Sequence, residues 1–125
     1  MNHFEGLHPI LTANYRLDWL TKFKLPAVTQ LRAELNQPSN LEATSRWINE
    51  TMRRVMGGSE LCWGLGDKQG KLMGIITITN LDHDGVDVRI KTMHPFNMQF
   101  NESEVRDSIE SLLHGISHHI NSWQS

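Results

Sequence analysis

The stretch from Ser59 to Asp82, SELCWGLGDKQGKLMGIITITNLD, restricts the fold more than any other part of the chain, because it reads as a β-hairpin with a buried second arm. Leu61, Trp63 and Leu65 alternate with Cys62 and Gly64. The run from Gly66 to Gly70 supplies the turn, and Leu72 to Thr79 resumes with β-branched residues. In the second arm Leu72, Gly74, Ile76 and Ile78 share one face, and Met73, Ile75, Thr77 and Thr79 share the other. Neither face is strongly polar, which predicts a central strand covered on both sides.

The flanking segments read in sequence order. Ile10 to Leu20 predicts one first strand, with Tyr15, Leu17 and Trp19 on one side. LPAVTQLRAEL predicts a short helix with Pro26 in its first turn, Val28, Leu31 and Leu35 at helical spacing, and Asn36 near its stop. Ser39-Asn40-Leu41-Glu42 has the pattern of a capping box opening a second helix, with Ser39 as the cap. Leu41, Thr44, Ile48, Thr51 or Met52, and Val55 form its stripe, Glu50 and Arg54 its ion pair, and Gly57-Gly58 its end. After a turn at Asp82 to Gly85, Val86, Val88, Ile90 and Thr92 alternate with Asp87, Arg89, Lys91 and Met93, which predicts an amphipathic strand. Val105, Ile109, Leu112, Leu113, Ile116, Ile120 and Trp123 recur at three and four residues, which predicts one last helix of about five turns.

Composition narrows the classes of function. A chain of 125 residues, 38% of them hydrophobic, supports a single domain with one core. Twelve basic against 14 acidic residues, with no basic run, give no electrostatic reason for a nucleic acid or an anionic membrane as partner. The lone Cys62 has no intramolecular disulfide partner, which suits a reducing compartment. MNHFEGLHPI has neither a basic leader nor an apolar core segment, and no run approaches the ~20 apolar residues of a membrane span, so a cytoplasmic protein is expected.

A hairpin ending in GKLMGIITITN, preceded by an amphipathic helix containing Trp47, resembles the first half of a GNAT-superfamily acetyltransferase of the ribosomal-protein N-acetyltransferase type. The resemblance implies an α/β (α+β) fold with a mainly antiparallel four-stranded sheet and three helices, acetyl-CoA as donor and a primary amine as acceptor. It places Asp87 and His94 nearest to catalytic positions, Asp87 as general base through a water and His94 as acceptor of an amine proton. It places Thr92, Met93, His94, Gln99 and Asn101 along the coenzyme. The family's later strands and fourth helix have no counterpart in this reading, so only the N-terminal half is expected. The edge of the fourth expected strand, Val86 to Met93, would then be open to a second copy in a homodimer, with Asp87 facing the partner's Arg89.

The coenzyme loop departs from that pattern. The family cradles a pyrophosphate with glycine amides at a helix start, where flexible backbone and the helix dipole favour an anion. Here the segment reads HPFNMQFNESEV, with no glycine between Gly85 and Gly115 and no Lys or Arg between Lys91 and Arg106. Asn101 and Glu104 are spaced as a capping-box-like pair, and Glu102 adds negative charge. Weak or absent acetyl-CoA binding is therefore expected. Two functions follow: an N-acetyltransferase domain that is incomplete or completed by another chain, and a non-catalytic binding or dimerisation module derived from one. His114 and His118 lie four apart on the last helix, with His119 near its edge. They supply too few ligands for a structural or catalytic zinc, and no metal site is expected. Trp47 and Trp63 are expected to pack in the core or at an interface.

Overall fold

The structure, a computed structural model, describes residues 9–81, 85–93, 100–115 and 119–124, apart from the side chains of residues 115 and 119. Strands β1 (Ile10–Leu11), β2 (Tyr15–Trp19), β3 (Leu61–Asp67), β4 (Leu72–Thr79), β5 (Gly85–Thr92) and β6 (His119–Gln124) form one six-stranded sheet in sequence order. Helices α1 (Leu25–Glu34), α2 (Leu41–Met56) and α3 (Glu102–Gly115) complete an α+β fold, with a 3-10 turn at Leu20–Lys22. Every neighbouring pair is antiparallel until β5 and β6, which run parallel because α3 carries the chain back across the sheet.

The hairpin forms as its sequence predicts. Trp63 pairs with Ile76 and Ile76 with Ile90, while Leu61, Ile78 and Val88 form a second row on the same face. Tyr15, Leu17 and Trp19 join that face through their pairing with Asp67, Leu65 and Trp63. Trp63 is 2% exposed and stacks on Trp19. Helix α3 covers this face with Val105, Ile109 and Leu113, all buried. On the opposite face the ring of Phe23 lies over Gly64 and Gly66, where a Cβ on Gly64 would collide with it. This brings α1 and α2 to the same side, and β4 is covered from both directions.

Helix α2 buries Thr44, Ile48, Thr51 and Val55 as its spacing requires, but its caps differ from expectation. The helix begins at Leu41, so the extended residue before it is Asn40, whose Oδ1 accepts from the Ala43 amide at 2.6 Å. Glu42 is then too early to reach back and pairs with Arg46 at 3.1 Å instead. Arg54 does not pair with Glu50. It reaches past Gly57 and Gly58 to Glu60, a carboxylate buried enough to need a cation.

Both ends of the sheet correct the four-strand expectation. The first strand is two: Ile10 pairs with Leu17 and Leu11 with Arg16 around a tight reversal in which the Thr12 amide donates to the Tyr15 carbonyl at 2.9 Å. The last helix stops at Gly115, and Ile120 and Trp123 belong to a strand. Val86 faces Ile120 and Val88 faces Trp123, so the bulge at Asn121 puts two residues three apart on one sheet face. That spacing imitates a helical stripe. The correction extends to the proposed dimer: β6 occupies the β5 edge from Gly85 to Arg89, so Val86 to Met93 is not an open pairing edge.

Candidate functional site

Alternation along β4 and β5 sends Thr77, Thr79, Asp87, Arg89 and Lys91 to the face that carries α1 and α2. There they line a groove in two parts. The first, of about 310 Å³, lies among Thr77, Thr79, Asp87, Arg89 and Gln124. The second, of about 160 Å³, shares Thr77 and Arg89 and is closed by Ile75 and Lys91 from the sheet, Arg32 and Leu35 from α1, Gln37 beyond it, and Trp47 from α2.

At one end Asp87 is tied down. Its carboxylate accepts from Ser122 Oγ and from Asn80 Nδ2, each at 2.7 Å. The Ser122 hydroxyl above all, with Asn80 and Asn121, holds its pKa below the usual carboxylate range. Both oxygens of the Asp87 carboxylate are thus engaged, Oδ1 by Ser122 and Oδ2 by Asn80. The other end is cationic. Arg32 is only 6% exposed, its Nε donates to the Pro38 carbonyl at 3.0 Å, and its guanidinium lies 4.3 Å from the centre of the Trp47 ring. Burial lowers its pKa. Arg89 donates to Gln124 Oε1 at 2.7 Å.

The residues expected along a coenzyme fall on different sides of the sheet. Thr92 follows the inward set of β5, its methyl against Gly74, whereas Met93 lines a separate cleft with Phe23, Leu31 and Leu72 on the α1 side. Asn101 stands at the start of α3, on the face opposite Asp87. His94 and Gln99 lie outside the described residues, as does His118. His114 is exposed at the end of α3.

The start of α3 is bonded inward. The Asn101 amide donates to the Tyr15 hydroxyl at 2.9 Å, and Asn101 Oδ1 accepts from Ser103 Oγ at 2.8 Å and from the Glu104 amide at 3.4 Å. Glu104 does not reach back to Asn101. Its carboxylate takes the Thr12 hydroxyl, the Asn14 amide at 2.8 Å and the Asn14 side chain at 2.7 Å, which fastens the β1–β2 turn to α3. Those bonds, that of Thr12 first, lower the Glu104 pKa. Glu102 pairs with Arg106 at 2.7 Å. The polar spacing of Asn101 and Glu104 was visible in the sequence, but the partners of Glu104 lie some ninety residues away and were not. The sequence did not single out Arg32, and Trp47 was expected in the core or at an interface.

No family model matches the sequence, and no curated protein matches it. Solved structures do match the fold. A candidate ribosomal-protein-serine acetyltransferase from Vibrio cholerae superposes with a TM-score of 0.71 at 12% identity, over 82% of this chain and 64% of its own. The microcin C7 self-immunity acetyltransferase MccE, solved with acetyl-CoA and AMP, gives 0.62 at 14% over 83% and 63%. An acetyltransferase from Agrobacterium tumefaciens gives 0.60 at 15% over 90% and 72%. The chain thus spans less than two thirds of the length of the first two. Among the described residues, no helix is long and apolar enough to cross a membrane. The chain has the fold of the GNAT-type acetyltransferases.

Proposed function

We propose that this domain is a ligand-binding module on the acetyltransferase fold, with its working surface in the β4–β5 groove and without acetyl-CoA turnover. The observation that carries this reading is the start of α3. A pyrophosphate needs free amides and positive charge, whereas here Tyr15 takes the Asn101 amide, Asn101 takes that of Glu104, and Glu102 and Glu104 contribute two carboxylates. These residues do not fit the coenzyme.

The alternative is an acetyl-CoA-dependent N-acetyltransferase domain, incomplete alone or completed by another chain. The parallel β5–β6 pair joined through α3, and a fold neighbour solved with acetyl-CoA, favour it. Incubation with radiolabelled acetyl-CoA and a mixture of primary amines separates the two. The module reading predicts no enzyme-dependent acetyl transfer; turnover that disappears in Asp87→Asn would establish the alternative.

A further inference from the structure

A largely buried guanidinium with no carboxylate against it favours an anion on the side it leaves open to solvent. Arg32 is in that position. One edge of its fork is satisfied by Pro38 and one face by Trp47, and among the described residues no Asp or Glu pairs with it. The same small hollow receives Arg89 and Lys91 from β5, which likewise have no carboxylate partner among the described residues. The groove's own acid, Asp87, sits two residues before Arg89 and already accepts from Asn80 and Ser122. Three cations therefore converge on a hollow of about 160 Å³ with no acidic wall among the described residues. The other described walls are Trp47, Leu35 and Ile75, apolar surfaces suited to a short carbon chain, together with the polar Gln37 and Thr77.

We propose that the hollow lined by Arg32, Arg89, Lys91 and Trp47 binds a small organic dicarboxylate, one carboxylate on Arg32 and the other between Arg89 and Lys91. A planar fork suits a planar carboxylate, and the apolar walls suit its methylenes better than they suit a bare inorganic anion. This deepens the binding-module reading, since it rests on the groove being the working surface, and it names what that surface takes.

The test is calorimetric titration of the full chain with sodium succinate at low ionic strength, with inorganic phosphate and choline chloride as comparison probes. Succinate should bind saturably, phosphate more weakly, and choline should give no heat. Arg89→Gln with Lys91→Gln should weaken succinate at least tenfold while leaving the melting temperature unchanged or raised, because the two replaced cations repel Arg32. Arg32→Lys, which keeps the charge and loses the fork, should also weaken it. Absence of saturable binding up to on the order of 10 mM succinate overturns the proposal. So does an affinity unchanged in the double variant, or a preference for phosphate. Acetyl transfer in the assay above would remove the module reading alone, because succinate binding and its loss in the double variant are read independently of turnover.

Discussion

The hydroxyl of Tyr15 on β2 accepts the backbone amide of Asn101, the residue that opens α3, at 2.9 Å. Two positions 86 apart thereby close the helix end that an anion would otherwise use. Phe100 adds an edge-to-face contact with the Tyr15 ring at 5.3 Å. Replacing Tyr15 by Phe keeps the ring and deletes the acceptor. Urea unfolding should show a loss of about 0.5–1.5 kcal/mol, the net worth of one such bond. An unchanged midpoint would mean that water satisfies the amide equally well.

Glu104 gives the fold a defined response to acid. Its folded pKa lies below the ordinary value, as does that of Asp87. A depressed carboxylate contributes stability that is complete above its unfolded pKa of about 4.3 and is lost as pH falls through the folded value. The melting temperature should therefore hold from neutrality to about pH 5 and fall below about pH 4. Glu104→Gln presents an amide group to donors on Thr12 and Asn14, so it should melt lower at pH 7 and show a shallower acid limb. Parallel acid limbs in the two proteins would contradict this role.

The cap of α2 is tested by two neighbouring alanines. Asn40→Ala removes the acceptor for the Ala43 amide and should cost about 1 kcal/mol, whereas Ser39→Ala should be close to neutral. The reverse ranking in chemical denaturation would restore Ser39 as the cap.

Cys62 is buried against Thr77, and burial pushes its thiol up to about 12. Since the thiolate is the reactive form, iodoacetamide should leave the native protein unmodified at pH 7.5 and label it only as urea unfolds it. Labelling of the native protein at the rate of a free thiol would place Cys62 at the surface.

The middle of the fold was legible because its signals are local. Alternation from Leu61 to Thr79, the alternating faces of Val86 to Met93, Pro26 in the first turn of α1 and the glycines after Met56 each act within a few residues. The ends were hidden for physical reasons. The β1–β2 reversal turns on Thr12 and Asn14, whose anchor is Glu104, and no local pattern carries a bond across that separation. β6 was taken for helix because its bulge aligns Ile120 with Trp123, and only pairing with β5 distinguishes the two. Of the candidate site, the charges of Asp87, Arg89 and Lys91 were readable as one wet face. Their junction with Arg32 and Trp47 depends on how α1 and α2 lie across the sheet, which spacing within either helix does not encode.

The start of α3 presents internal partners where a pyrophosphate would need free amides. Calorimetric titration of the intact chain with acetyl-CoA tests it directly. No binding is expected, or dissociation constants weaker than about 1 mM, with a modest gain in Glu102→Gln as one repelling charge is removed. Micromolar affinity that free coenzyme A competes away, and that Tyr15→Phe leaves unaltered, would contradict it.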